Sequence, residues 1–422
     1  MPNFLQKAIE LDQKDTLAHF RERFTHDETI YLDGNSLGKL PKQTPEVVAE
    51  VVNQQWGNRM IRSWNEHWID LPNKVSAQIA KIIGADVDEV FVGDSTSVNL
   101  YKLAFAALNY NSSKNKIITD SLNFPTDLYI LQGLVQNQFK NHQIEIIESK
   151  DDIVIDEAEL ISKINEDTAL VTLSYVLYKS AFMYDMKQIN EAAHEHNALV
   201  IWDLSHAAGA VEINLKATNA DMAIGCTYKY LNGGPGSPAF LYVRRDLQEK
   251  LINPIWGWFS HQKPFDFGSD FSPNTGIQRF AVGTPSILSL AATQVGLAIT
   301  NEAGMPNLRR KSIVQSTFLI ELIHHYLSPL GFTIASPLEI KKRGSHISIQ
   351  HPEGYRINRA MIEPKDDSPS IIPDFRPPNN IRLGIAPLYN TFEELYKSVI
   401  RIKKIVETEE YKTFGGERLN VT

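Results

Sequence analysis

The chain has 422 residues, of which 43% are hydrophobic, and this length and composition suffice for two domains with a substantial core. Its formal net charge of −8 argues against a sequence-wide attraction to nucleic acid or to an anionic membrane. The single cysteine, Cys226, excludes an internal disulfide and a cysteine-rich zinc site, and it indicates a reducing compartment.

The first 15 residues carry Lys7, Glu10 and Asp12 within their apolar stretch, which is not typical of a secretory signal. No run approaches the roughly 18 apolar residues that a membrane-spanning helix needs. We therefore expect a cytoplasmic protein that binds neither membrane nor nucleic acid.

Short runs typical of β-strands alternate with helical patterns from about residue 88 to residue 245. The predicted strands are 89–93, 116–119, 144–149, 169–176, 198–203, 221–227 and 239–243. Several of the intervening spacers are long enough for a helix, as in a sheet with crossover connections. The pattern predicts an α/β domain over residues 60–290, built on a mostly parallel seven-stranded sheet.

The pattern changes after about residue 285. Helices are predicted at 287–300 and 312–327, and strands at 332–336, 346–350 and 381–386. These elements predict a smaller α+β domain formed by residues 291–422 together with the amino-terminal segment 1–59. The segment 361–380, with five prolines, is either a plain surface loop or a cover for a site near Arg382.

An acid and a lysine follow two successive predicted strands. Asp203 closes the strand 198–203, and Lys229 comes 26 residues later, just after the strand 221–227. Each residue alone is ordinarily a helix cap or a surface charge. Together they stand at carboxyl ends of strands, where ligands bind in open α/β sheets. Pyridoxal 5'-phosphate (PLP) needs such a pair, because the acid pairs with the pyridinium nitrogen and keeps it protonated, and the lysine holds the aldehyde as a Schiff base.

A polar turn precedes the helix-like segment near residue 96. The run Asp94, Ser95, Thr96 and Ser97 follows the strand 89–93, and helix amino-termini bind phosphate. Taken alone the run is a helix cap, but beside Asp203 and Lys229 it predicts a phosphate cradle. Phe124 follows the strand 116–119, where it is either a ring that stacks on the cofactor or a core aromatic.

Longer motifs identify a family resemblance over nearly the whole chain. The motifs are YLDGNSLG (31–38), WGNRMIRSWN (56–65), NFPTD (123–127), DLSHAAGAVEI (203–213), YKYLNGGPGSPAFLYV (228–243), WGWFSHQKPFDF (256–267) and IRLGIAPLYN (381–390). In this order they resemble kynureninase, within the aspartate aminotransferase superfamily. The resemblance implies a homodimeric enzyme with the fold-type I PLP-dependent transferase fold. Such an enzyme cleaves L-kynurenine, or its 3-hydroxy form, to L-alanine and anthranilate or 3-hydroxyanthranilate, in tryptophan catabolism and pyridine nucleotide biosynthesis.

The resemblance also implies roles for individual residues. Lys229 holds the cofactor and moves the substrate α-proton, and Asp203 pairs with the ring nitrogen. Trp256 and Thr284 match positions that reach the site of the partner subunit. The other cofactor-binding residues implied are Thr96, Ser97, Phe124, Asp127, Ser174, His206 and Tyr228.

For the substrate, Arg382 resembles the family's carboxylate-binding arginine, and a guanidinium suits a bidentate carboxylate. Trp64 is expected to pack on the aryl ring or to lie in the core. Tyr228 is expected either to donate a proton or only to bind phosphate. Asn58 falls near a position where animal members carry a histidine that selects 3-hydroxykynurenine, which favours plain kynurenine.

One run departs from the family pattern. In SYVLYKSAFMYD (174–185), Leu177, Ser180 and Ala181 replace an Asn or Asp and a Thr-Gly pair. This departure affects the geometry of the local turn more than it affects cofactor binding.

Three alternatives differ from this assignment. An aminotransferase of the same fold would exchange amino groups between amino and keto acids. A cysteine desulfurase needs a thiol on a mobile loop, whereas Cys226 lies in a predicted strand. A non-catalytic PLP-binding regulator would lack a dedicated substrate arginine, so Arg382 argues against it, and no DNA-binding segment is visible. No metal is expected.

Overall fold

Helices and strands alternate along the chain in the computed structural model, which describes residues 3–417. The helices are α1 (Phe4–Gln13), α2 (Thr44–Glu50), α3 (Leu71–Ile83), α4 (Thr96–Tyr110), α5 (Pro125–Asn137), α6 (Glu157–Lys163), α7 (Met186–Glu195), α8 (Arg245–Gln248), α9 (Ile287–Ala303), α10 (Met305–Leu322), α11 (Gly354–Ile362) and α12 (Phe392–Glu407). π-Helical segments span Val51–Arg59, Trp64–Trp68 and Ile323–Leu327. Within residues 3–417 no helix has both the length and the apolar content needed to cross a membrane.

Within the described residues the strands form three sheets. They are β1 (Ile30–Tyr31), β2 (Val90–Val92), β3 (Lys116–Asp120), β4 (Gln143–Ile147), β5 (Thr168–Ser174), β6 (Leu199–Asp203), β7 (Met222–Gly225), β8 (Phe240–Val243), β9 (Thr333–Ile334), β10 (His346–Gln350), β11 (Ile371–Ile372), β12 (Asp374–Arg376) and β13 (Asn380–Gly384).

The largest sheet contains seven strands in the order β2-β8-β7-β6-β5-β3-β4. Strand β8 runs antiparallel to both of its neighbours, whereas β3 to β7 are parallel. The seven predicted strands and the mostly parallel α/β fold are therefore confirmed. Both faces are covered, because Trp202 of β6 packs into one hydrophobic cluster and the adjacent Ile201 packs into another.

A smaller antiparallel sheet has the order β12-β13-β10-β9, and β1 pairs separately with β11. The hydrophobic core of the four-stranded sheet also includes the amino-terminal helix α1, since the ring centroids of Phe4 and Phe318 are 6.4 Å apart. Other parts of the amino-terminal segment, including Phe24 and Val51, pack in the core of the large sheet. The domain limits 60–290, with 1–59 and 291–422, stay a prediction.

The run 174–185 forms a tight turn in spite of its departure from the family pattern. The Leu177 amide donates to the Phe182 carbonyl at 2.8 Å, and the Ala181 amide donates to the Leu177 carbonyl at 2.9 Å. Ala181 adopts φ = 65°, a left-handed conformation that favours glycine and costs an alanine about 1 kcal/mol. The turn thus has a backbone suited to glycine at Ala181, where the resemblance implies the glycine of a Thr-Gly pair.

The proline-rich segment 361–380 is not a plain loop. It contains the end of α11 and the strands β11 and β12, and β12 pairs in register with β13, Asp374 opposite Arg382. This pairing brings the segment to the edge of the site described next.

Candidate functional site

A cavity of about 850 Å³ lies at the carboxyl ends of the central parallel strands. In β5 and β6 the terminal residues Ser174 and Asp203 are cross-strand partners, so both side chains reach the same edge of the sheet. Eleven of the predicted site residues line this cavity, namely Thr96, Ser97, Phe124, Asp127, Ser174, Asp203, His206, Tyr228, Lys229, Thr284 and Arg382.

Lys229 and His206 make the central contact of the cavity. Lys229 Nζ lies 2.9 Å from His206 Nε2. Burial and the positive charge of Lys229 hold the pKa of His206 well below its ordinary value, so the imidazole is neutral and Nε2 accepts the hydrogen bond. Nδ1 of His206 is buried and has no hydrogen-bond partner within residues 3–417.

The loop that carries Lys229 is held by its own backbone and hydroxyl contacts. The Asn232 amide donates to the Lys229 carbonyl at 2.9 Å, and the Gly38 amide donates to the Tyr228 carbonyl at 2.8 Å. The Thr227 hydroxyl donates to the Pro238 carbonyl at 2.7 Å, which ties the two ends of the loop together. Lys229 is thus presented by a fixed loop that follows β7.

Two acids face Lys229 in this cavity. Asp203 accepts a hydrogen bond from the Ser205 amide at 2.8 Å, and burial raises its pKa while Lys229 opposes that shift. Burial and the charge of Asp203 raise the pKa of Asp127 well above its ordinary value. Lys229 lowers the pKa of both carboxyls against the effect of burial, so each acid is electrostatically linked to the lysine.

The amino-terminus of α4 forms the second end of the cavity. Ser95 caps this helix, its hydroxyl accepting from the Val98 amide at 3.3 Å, and Thr96 and Ser97 occupy the first turn. Asp94 next to the cap is neutralised by the fully buried Lys102, whose Nζ lies 2.8 Å from the Asp94 carboxylate and 2.9 Å from the Phe280 carbonyl. The helix dipole and hydroxyls thus remain available to an anion.

Aromatic groups surround the lysine. Lys229 Nζ lies 6.0 Å from the ring centroid of Phe124 and 5.9 Å from that of Tyr228. Phe124 meets Tyr178 edge to face at 5.3 Å. The neighbouring Cys226 thiol and burial raise the pKa of Tyr228, so its hydroxyl stays protonated at neutral pH.

Arg382 is buried at the side of the cavity formed by the smaller sheet. Its Nε donates to Asp374 at 2.5 Å, its Nη1 donates to the Tyr178 carbonyl at 2.6 Å, and its Nη2 donates to Ser36 at 3.0 Å. Burial lowers the pKa of this guanidinium, and the Asp374 carboxylate opposes the shift. The role of Arg382 as a substrate-carboxylate residue stays a prediction.

Several residues that line the cavity near Arg382 were not predicted from the sequence. Asn35, Ser36 and Arg376 line the cavity, and Asp374 lies directly behind it. The motif YLDGNSLG contains the first two, so the motif was a usable signal, although it assigns no role. Asp374 and Arg376 lie in the proline-rich segment, where only their closeness in sequence to Arg382 pointed to the site.

Three predicted residues lie outside the cavity wall. Trp64 packs against Phe259, a wall residue, with ring centroids 6.2 Å apart. Asn58 is exposed and donates to Gln54 at 2.7 Å. Trp256 is 65% exposed and stacks on an aromatic neighbour at 4.8 Å. Their roles toward the substrate or a partner subunit stay predictions, as does the reach of Thr284 into the partner's site.

The donor set of the cavity fits PLP. Asp203 supplies a buried anion for the pyridinium nitrogen, Lys229 an amine for the aldehyde, and the start of α4 a phosphate cradle. The orphaned Nδ1 of His206 is a further polar group available to a ligand inside the cavity.

Comparison with known proteins relates the chain to one family. Residues 308–402 match the family model described as the kynureninase C-terminal domain. The chain is similar to a kynureninase of Pseudomonas fluorescens, with 41% identity over 406 residues and 95% of each chain covered. It is 36% identical over 413 residues to a kynureninase of Burkholderia mallei (strain SAVP1), with 96% of each chain covered.

Solved structures support the fold. The apo cysteine desulfurase of Thermococcus onnurineus NA1 superposes with a TM-score of 0.78 at 20% identity, covering 95% of this chain and 98% of that one. A C-DES mutant with glycine covalently linked to its PLP cofactor gives a TM-score of 0.75 at 17% identity, covering 88% of this chain and 96% of that one. At these identities the likeness concerns the fold alone, and it confirms the predicted fold-type I architecture.

Proposed function

The chain belongs to the kynureninase family, and we propose that the residues around Lys229 carry out the reaction of that family on L-kynurenine. It is a PLP-dependent hydrolase of carbon–carbon bonds in ketonic substances, which cleaves the Cβ–Cγ bond to give anthranilate and L-alanine in tryptophan catabolism. The supporting observation is the placement of Lys229 and Asp203 in one buried cavity, with the lysine amine in contact with a neutral histidine.

The cofactor-binding residues divide into two groups. Asp203 would hold the ring nitrogen, with His206 beside the ring and Phe124 on its face. Thr96 and Ser97 would hold the phosphate. Tyr228, Ser174 and Asp127 complete the set. PLP, when bound, withdraws electrons from the bonds to the substrate α-carbon.

Two residues would move protons. Lys229 Nζ would take the α-proton, and the neutral His206 suits this step because it accepts a hydrogen bond from the amine and adds no positive charge. The Tyr228 hydroxyl, which stays protonated at neutral pH, would donate a proton to the departing alanyl carbon. Water is the second substrate, since the γ-carbonyl must gain a hydroxyl to leave as a carboxylate.

Substrate orientation falls to Arg382 and to aromatic groups near the cavity. The Arg382 guanidinium would face the α-carboxylate, and Trp64, which packs on the wall residue Phe259, would face the aryl ring. Asn58 in place of a histidine supports a preference for L-kynurenine over 3-hydroxy-L-kynurenine.

The desulfurase alternative is disfavoured by its required thiol. Cys226 is 2% exposed, its Sγ lies 3.9 Å from the Ser205 carbonyl, and burial raises the pKa of the thiol. A buried, protonated thiol in a fixed loop is a poor nucleophile. This buried free cysteine also supports a cytoplasmic location, where thiols stay reduced.

A homodimer with shared sites would cover an exposed apolar surface near the cavity. Exposed apolar side chains of two segments are candidates for such an interface: Trp56, Met60, Ile61 and Leu288, which line one shallow hollow, and Trp256, Phe265 and Phe267 in the segment 256–267. Each of these side chains is more than one-third exposed, and monomeric proteins rarely leave such a large set of apolar groups in water. Thr284 at the cavity wall and the exposed Trp256 would contribute to the partner's phosphate site.

A direct assay tests the activity. Purified protein loaded with PLP is mixed with L-kynurenine, and anthranilate is followed by its fluorescence while L-alanine is measured at the end point. We expect the two products in equal amounts. The Lys229→Ala variant is the control and should form neither product. A cofactor-loaded wild-type sample that forms no anthranilate would overturn the assignment.

A further inference from the structure

Two arginines share one carboxylate at the edge of the cavity. Asp374 stands opposite Arg382 across the β12–β13 pair, and Arg376 is two residues further along β12. Directly opposed residues and alternate residues of a strand project from the same face of a sheet. The three side chains therefore meet on one face.

The contacts of this group centre on a single oxygen. Asp374 Oδ2 accepts from Arg382 Nε at 2.5 Å and also contacts Arg382 Nη2. Arg376 Nε lies 3.1 Å from the same oxygen. The carboxylate is only 6% exposed, so its charge is little screened by water; it holds Arg382 by a hydrogen bond and attracts Arg376 as an ion-pair partner.

The two arginines differ in how much of their donor capacity is used. Arg382 is 1% exposed, and four of the five N–H groups of its guanidinium point at Asp374, Tyr178 and Ser36. Arg376 is 38% exposed and lines the cavity. Within residues 3–417 the Arg376 guanidinium has its ion pair with Asp374 but makes no side-chain hydrogen bond, at Nε or at its terminal nitrogens. Arg376 therefore presents a guanidinium with unused N–H donors, an open fork, to the cavity. Arg382, whose donors are mostly occupied, contributes mainly its positive charge.

The local charge favours an anion. Two guanidinium groups face Asp374 and the nearby Asp33. Burial and the charge of Asp374 raise the pKa of Asp33 to about 7, so this acid is only partly ionised at neutral pH. The group thus keeps a surplus of positive charge, which matches one carboxylate of a ligand.

We propose that Arg376 is a second recognition residue for the substrate α-carboxylate, and that Asp374 is the positioning residue that sets Arg376 and Arg382 side by side. The proposal rests on the proposed function, because it concerns the carboxylate of L-kynurenine. Arg376 accepts the carboxylate through its open fork, while Arg382 supplies a second positive charge from the buried side.

The test compares three variants of the PLP-loaded enzyme. Arg376→Gln removes the charge, and Arg376→Lys keeps the charge but not the planar fork. Arg356→Gln is a matched control, because Arg356 is also 38% exposed and also pairs with one acid, Glu353, at 3.2 Å, but it does not line the cavity. L-Alanine is the probe for carboxylate recognition, and 2-aminoacetophenone, which lacks the amino acid part, is the probe for the aryl end.

We expect Arg376→Gln to raise the KM for L-kynurenine and the inhibition constant of L-alanine about tenfold or more, with kcat within about twofold of wild type. Inhibition by 2-aminoacetophenone should not change, Arg376→Lys should recover part of the loss, and Arg356→Gln should match wild type. Asp374→Asn should raise KM less in the Arg376→Gln background than in the wild type, since one residue acts through the other.

Two results would overturn the proposal. One is an Arg376→Gln variant whose KM and L-alanine inhibition match those of Arg356→Gln. The other is equal weakening of both probes, which would indicate general distortion of the cavity. If the wild type forms no anthranilate, the proposed function fails instead, and L-alanine binding, followed by the visible absorbance of the loaded protein, still tests Arg376.

Discussion

Replacing Arg382 by alanine should damage both catalysis and stability, and the structure separates the two effects. The guanidinium makes charge-assisted contacts, and losing one such contact to the substrate carboxylate should lower kcat/KM by about 3 kcal/mol, or roughly 150-fold. The same change leaves the buried Asp374 without its main cation. Breaking a buried ion pair by removing one partner costs about 3–5 kcal/mol of folding stability.

A double variant distinguishes these contributions. Replacing Arg382 by methionine and Asp374 by leucine removes both charges, and such replacement of a buried pair by apolar groups is often neutral for stability. We expect this protein to recover most of the thermal stability that Arg382→Ala loses, but none of the kcat/KM. Arg376, which is 38% exposed, loses little by the removal of Asp374 because water solvates its charge.

The measurements are kcat/KM from anthranilate fluorescence and the thermal midpoint of the PLP-loaded protein, together with its visible absorbance. An Arg382→Ala protein with wild-type kcat/KM would show that the arginine is only structural. Recovery of activity in the double variant would refute the reasoning more directly, because neither charge would then be needed for the substrate.

Two further predictions concern subunit sharing and pH. Lys229→Ala chains are mixed with chains altered at both Trp256 and Thr284, each variant being inactive alone. The mixture should regain part of the activity, because one of the two sites in each heterodimer contains only wild-type residues. If subunits exchange but no activity returns, Trp256 and Thr284 lie outside the partner's site. Burial and the charge of Asp374 raise the pKa of Asp33 from 3.8 to about 7, so the native state holds the proton more tightly and the free energy of unfolding falls as the pH rises between these values. Asp33→Asn should therefore gain stability relative to wild type by about 3 kcal/mol between about pH 5 and about pH 8, measured by urea unfolding, and a constant difference would contradict this.

The local pattern of the chain was sufficient to predict the strands and the cofactor pair. Runs such as 169–176 and 198–203 are mostly apolar because both faces of the sheet are covered, so they stand out without knowledge of their neighbours. Asp203 and Lys229 follow successive strands, and the carboxyl ends of parallel strands meet at one edge. Their proximity therefore follows from order along the chain, once the sheet is parallel.

Other features depend on contacts between distant segments. The four residues of β8 are all buried, and their sequence does not predict that this strand runs antiparallel to its neighbours. Ser36, Tyr178 and Asp374 meet at Arg382 from segments up to 346 residues away, and only packing of the smaller sheet against the large one brings them there. The sequence by itself was enough to predict which groups would supply the PLP chemistry, because that prediction depends on local motifs. Tertiary structure alone decided that Arg376 faces the cavity with an open guanidinium, because that exposure arises from how β12 and β13 align.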